Sequence, residues 1–156
     1  MKARGFTLIE LLVTLALLGL LGAIVAPAAQ VTIQRRHEQE LRLALREIRT
    51  AIDAYKRASD EGRVAKAAGA SGYPARLELL VDGVVDLRSA RRSKVFFLRR
   101  LPRDPFNDDA DKSAADTWIK RSYASEAADP KEGDDVYDII SSSPRTGLNG
   151  LAYRTW

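Results

Sequence analysis

One stretch constrains this chain more than any other. Residues 6–29 are leucine, valine, isoleucine, alanine and glycine almost without a break, and Glu10 is the one ionisable side chain among them. Lys2 and Arg4 precede the run, and Thr7, Thr14 and Pro27 are its other polar or helix-breaking residues. At ~1.5 Å per residue a helix over this run reaches ~36 Å, enough to cross a hydrocarbon core of ~30 Å with some tilt. The run therefore predicts a membrane-spanning helix. Glu10 is the anomaly, because a charge at mid-bilayer costs at least ~2.5–3.5 kcal/mol. It lies about one turn in, so one reading is a near-surface carboxylate that snorkels to the interface. The other is a carboxylate that awaits a cation, since unlike charges can be buried together where one alone cannot.

Two plainer origins for the run stand beside these. A secretory signal peptide has a shorter apolar core followed by an Ala-x-Ala-like cut, and Ala23-Ile24-Val25-Ala26-Pro27-Ala28-Ala29 would supply the cut, but would leave Glu10 without a purpose. A plain signal anchor is the other. Cations at both ends, Lys2 and Arg4 against Arg35 and Arg36, leave the orientation rule undecided.

Gly5-Phe6-Thr7-Leu8-Ile9-Glu10 after a short basic leader resembles the processing motif of type IV pilins and of the pseudopilins of type II secretion. The resemblance implies that a prepilin peptidase cuts after Gly5 and methylates the new N-terminus at Phe6. It also implies that Glu10, fifth in the mature chain, pairs with the terminal amine of a neighbouring subunit during assembly. Further along, Tyr73-Pro74 and Leu101-Pro102-Arg103-Asp104-Pro105-Phe106 are similar to the Tyr-Pro and Leu-Pro-x-Asp-Pro-aromatic stretches of major pseudopilins. The chain has no cysteine, whereas many type IV pilins close a C-terminal loop with a disulfide, which favours a pseudopilin.

The length, 156 residues, suits an anchor and one globular domain. The formal charge of +4 falls to +2 once Lys2 and Arg4 are removed, so the basic balance is weak support for a polyanionic partner. Gly19, Gly22 and Pro27 interrupt the apolar helix; Pro27 lacks the N–H that would bond the carbonyl of Ala23, which predicts a bend there. The family resemblance implies that the backbone between Gly19 and Pro27 can lose helical structure in an assembled filament.

Beyond Gln30 the pattern is amphipathic. Leu41, Leu45, Ile48, Ile52 and Tyr55 recur at spacings of four and three, widened by Ala44 and Ala51, with Arg42, Arg46, Glu47, Arg49, Asp53 and Lys56 on the other faces. Glu38 and Arg42 are spaced for a surface ion pair worth ~0.3 kcal/mol. One helix from Phe6 to about Ala58 is the economical reading, stopped in Ser59-Asp60-Glu61-Gly62. An Ala/Gly-rich loop follows over 64–72, then a short helix around Leu77, Leu80 and Val81, a turn at Asp82-Gly83 and a short extended piece over 84–87. Residues 94–99 read as extended, with Phe96 and Phe97 in the core, and Pro102 and Pro105 fix a corner. Residues 118–124 and 136–140 read as strands, and Tyr153 and Trp156 as packing residues of a tail that wraps the head. The expected fold is α+β and pilin-like, a long N-terminal helix packed against a small antiparallel sheet head. Its expected segments are a leader (1–5), a transmembrane and filament-core helix (6–29), an amphipathic extension (30–58) and a globular head (59–156).

Enzymatic chemistry finds little support. One histidine, His37, lies beside Arg35 and Arg36 and reads as a solvated surface residue; thiol catalysis and the usual zinc sets lack their ligands, and no phosphate loop occurs. No catalytic, cofactor-binding or metal residue is expected. Calcium deserves weighing because major pseudopilins bind it in an acidic C-terminal loop. Here residues 141–150 hold no carboxylate and one arginine, Arg145. Asp134, Asp135 and Asp138, or Asp108, Asp109 and Asp111, are the remaining oxygen donors, against the six to eight oxygens calcium wants. The basic run Arg88, Arg91, Arg92, Lys94, Arg99, Arg100 and Arg103 reads as a solvated face or a contact for acidic patches on neighbouring subunits, and nucleic acid is disfavoured for want of a binding module.

The resemblance thus implies a subunit of a periplasmic pseudopilus driving protein export, anchored in the inner membrane with its head in the periplasm before assembly. Its implied partners are further copies, other pseudopilins, the prepilin peptidase, the secretion system's inner-membrane platform and membrane lipid. Alternatives are a minor type IV pilin, a competence pseudopilin or a membrane-tethered periplasmic binding module.

Overall fold

The computed structural model describes Gly5 and residues 7–156, and the side chains of all of these except 24–27. Helix α1 spans Leu8–Asp60. Its end follows from local chemistry. Gly62 takes φ 71°, its N–H donates to the carbonyl of Ser59 (3.0 Å), and the N–H of Arg63 donates to that of Ala58 (2.9 Å). That pair of bonds around a left-handed glycine is the Schellman stop.

The chain divides into two units between Arg36 and His37. In the first, every leucine, isoleucine and valine from Leu8 to Leu21 is exposed. An 18-residue window of α1 has a mean hydropathy of 2.6 and none of it is buried, so length and composition suit a membrane span. α1 runs on through Gly19, around which no atom would meet an added Cβ. The side chain of Pro27 lies outside the described residues.

In the second unit the expected stripe of α1 becomes the spine of a core. Leu41, Leu45, Ile48, Ile52 and Tyr55 are buried with Leu77, Leu80, Leu98, Trp118, Val136, Ile139 and Tyr153. Around it stand helix α2 (Leu79–Asp82) and two separate antiparallel pairs. Strand β1 (Val84–Val85) faces β2 (Lys94–Val95), with Val84 opposite Val95; β3 (Trp118–Arg121) faces β4 (Asp138–Ser141), with Trp118 opposite Ser141. Glycine is required at Gly83 (φ 73°), where a Cβ would lie 2.7 Å from Cε1 of Phe96.

The strands are shorter than the sequence suggested, because the backbone turns to other partners. After Val95 the N–H groups of Phe97 and Leu98 both donate to the carbonyl of Leu80 (2.9 Å each), which bends the chain onto α2. Phe97 then packs on the Tyr55 ring (5.3 Å between centroids), while Phe96 is 62% exposed, contrary to the expectation that both are core residues. After Arg121 the N–H of Ser122 donates to Lys131 O (2.9 Å), and that of Val136 donates to Pro74 O (2.8 Å) before β4 begins. Tyr153 is fully buried at the start of a 3-10 turn, Tyr153–Thr155, so the tail does close over the head.

Candidate functional site

The N-terminal unit places Glu10 by a local device. The Thr7 hydroxyl accepts the N–H of Glu10 (3.3 Å), and the carbonyl of Thr7 accepts that of Leu11 (3.2 Å). Thr7 thus caps α1, and Thr7-Leu8-Ile9-Glu10 has the sequence form of a capping box. An acid in the first turn also gains ~0.3–1 kcal/mol from the helix dipole. These gains are smaller than the cost of a carboxylate in hydrocarbon, so capping alone does not account for an acid here. Glu10 is exposed, as are the leucines around it. Gly5 is exposed with open space about it, and Phe6 lies outside the described residues.

The head holds three polar anchors that sequence reasoning missed. Glu38 is 5% exposed, and its Oε1 accepts the N–H of Leu148 (2.7 Å) and the hydroxyl of Tyr153 (3.0 Å). Its main work is therefore inside the head rather than on the surface with Arg42. The Tyr153 ring stacks on Phe106 (4.1 Å), and His37 meets Phe106 edge-on (5.7 Å), half-buried where a solvated residue was expected. Arg49 donates to Asp138 Oδ1 (2.8 Å), Ile139 O (3.0 Å) and Trp156 O (2.8 Å), and the Arg42 guanidinium lies 4.4 Å from the Trp156 ring centre. The third anchor is Asp104, 1% exposed in the proline corner. Its Oδ1 accepts the N–H of Phe106 (2.9 Å), and its Oδ2 accepts Ser141 Oγ (2.7 Å) and the N–H of Ser142 (3.0 Å). Trp118 Nε1 donates to Pro102 O (2.9 Å). The Leu-Pro-x-Asp-Pro-aromatic stretch is thus a staple joining the corner to the end of β4.

Two of the carboxylates weighed as calcium donors, Asp135 and Asp138, have other occupations. Asp138 faces Arg49 and, at 3.5 Å, Arg121. Asp135 accepts hydrogen bonds from Ser122 Oγ (3.0 Å), the N–H of Tyr123 (2.8 Å) and Ser71 Oγ. Arg145, in the tail, lies over Phe106 (5.6 Å). Among the described residues no three histidine, cysteine or acidic side chains are grouped to hold a metal. Elsewhere Arg63 donates twice to Asp86 Oδ2 (2.7 and 3.1 Å), and that hydrogen bonding holds the Asp86 carboxyl below its ordinary value. Burial pushes the Tyr55 and Tyr73 hydroxyls up.

A long helix, apolar and exposed through its first half and the spine of a small α+β head through its second, defines a type IV pilin-like protein. Residues 1–26 match the prokaryotic N-terminal methylation motif. Over 112 residues the chain is 28% identical to the type II secretion system core protein G of Escherichia coli (strain K12), covering 69% of this chain and 70% of that one. It is 30% identical over 112 residues to the protein of the same name from Klebsiella pneumoniae, covering 69% and 72%. The chain belongs to this family: it is a pseudopilin, a structural subunit rather than an enzyme. No solved structure matches it significantly.

Proposed function

We propose that this pseudopilin is cut after Gly5 by a prepilin peptidase, methylated at Phe6, and polymerised into a periplasmic pseudopilus that drives protein export by type II secretion. The observation that carries the reading is Glu10, a lone acid on an exposed apolar helix whose local cap does not repay its burial. Cleavage creates the missing cation, an amine at Phe6, and packing of a second copy brings it to Glu10. Two unlike charges then enter low dielectric together, which is tolerable where one alone is not.

Before assembly the 6–29 segment spans the inner membrane once, in contact with lipid, with the head in the periplasm. In the filament these segments pack on one another, and Gly19 and Pro27 let the backbone bend or open there. Growth occurs on the secretion system's inner-membrane platform and extends to other pseudopilins. No metal takes part in this reading: the 141–150 segment lacks carboxylates, and Asp138 is matched by two arginines.

Mass spectrometry of the native N-terminus tests the proposal. A chain beginning at N-methylated Phe6 is expected. A chain that keeps Met1 and stays monomeric overturns it in favour of a tethered binding module.

A further inference from the structure

The β1–β2 hairpin is two-faced. Side chains alternate along a strand, and the Val85↔Lys94 pairing puts Val85 and Lys94 on one face, with Leu87 and Phe96 just past the strand ends and Phe96 against Gly83. That face is open: Val85, Leu87 and Phe96 are 41%, 56% and 62% exposed. The other face turns inward, with Asp86 clamped by Arg63 and its Oδ1 accepting the N–H of Arg88 (2.9 Å). The hairpin is therefore a fixed support for what it displays. Its tip carries Arg88, Arg91 and Arg92, exposed side chains with no hydrogen bond or ion pair among the described residues. An apolar face rimmed by uncommitted cations has the composition of an interface, not of a solvated surface.

The same head carries the complement. The 126–135 loop joining β3 to β4 holds five acids, Glu126, Asp129, Glu132, Asp134 and Asp135, and one base, Lys131. Asp129 pairs with Lys131 (2.7 Å) and Asp135 is tied to serines, while Glu126, Glu132 and Asp134 are exposed and uncommitted. Next to the loop stands Tyr123, 62% exposed. These two surfaces are separate patches of the head. Tyr55 meets Phe97 beside the hairpin (5.3 Å), whereas Lys56, ~100° further round the helix, reaches the Tyr73 ring (5.6 Å), which stacks on Tyr123 (5.6 Å).

We infer that the Val85–Phe96 face and its arginine tip dock the 126–135 loop of a second copy of this chain, the inference resting on the polymer proposed above. Charge is opposite in sign, and each surface offers an exposed aromatic, Phe96 on one and Tyr123 on the other. Because the two surfaces differ, the contact is head-to-tail, the class of contact from which an open filament is built.

The chain lacks cysteine, so paired cysteines report the contact cleanly. Full-length R91C/E132C, expressed with its secretion machinery and mildly oxidised, is expected to give a ladder of covalent multimers that neither single variant gives. Charge reversal is the second readout. R88E/R91E/R92E and E126K/E132K/D134K are each expected to lower pseudopilus yield at least tenfold, and their combination to restore it; all six positions are exposed, so folding is not at stake. Pseudopili without a ladder overturn the contact and leave the functional proposal standing. Loss on reversing the arginines but not the acids also overturns it, by assigning the face to another anion such as a phospholipid headgroup. A wild-type chain that never polymerises overturns both.

Discussion

Glu10 and Glu38 lie on the same helix in opposite circumstances. Glu38 is buried in the head with donors supplied by Leu148 and Tyr153 of its own chain. Glu10 is exposed, beyond its cap, among leucines that are exposed as well. The head satisfies its buried carboxylates Glu38 and Asp104 from within. The unit that ends at Arg36 is separate, and its exposed apolar side chains and single acid find no cover among the described residues. One helix therefore carries two kinds of information, the first half about neighbours and the second about its own fold.

Substitution should separate the two halves. Ile52 is fully buried, so Ile52→Ala is expected to destabilise the head by about 2–5 kcal/mol, read as a lower Tm of the detergent-solubilised chain. Leu17→Ala is expected to leave that transition within about 0.5 kcal/mol; an equal loss would break the division. Asp104→Ala strands the donors of Phe106, Ser141 and Ser142 and is expected to cost about 1–3 kcal/mol, and Asp104→Asn less, by the same melting measurement. A pH-dependent effect is expected at Asp86. Its folded value is lowered from 3.8 by Arg63, so the pair stabilises above 3.8, and the contribution is lost as pH falls through the lowered value. Arg63→Ala should raise the Asp86 titration midpoint toward 3.8 by NMR, with the stability gap to wild type closing at acid pH.

Most of α1 was legible in the sequence. Its stripe from Leu41 to Tyr55 is buried as the spacing implied, and the Ser59–Gly62 stop is a Schellman motif, a signal contained in a few consecutive residues. Tyr153 packs as expected. What escaped was set by contacts distant along the chain. Glu38 is explained by residues more than a hundred positions away, and Asp104 by Ser141 and Ser142, so no local pattern marks either. The strands were overextended because runs of β-formers do not reveal that Leu80 O captures the next two N–H groups. Phe96 was misplaced because only its neighbour Phe97 meets the core, on the Tyr55 ring, while Phe96 is exposed.

Counting pseudopili formed by Glu10→Gln, beside a membrane-fraction assay of the same cells, bears most directly on whether a neighbour's charge explains this acid. Gln keeps the shape and removes the charge. Full membrane retention with no filaments is expected, whereas filaments in wild-type number would contradict the pairing of Glu10 with a second copy.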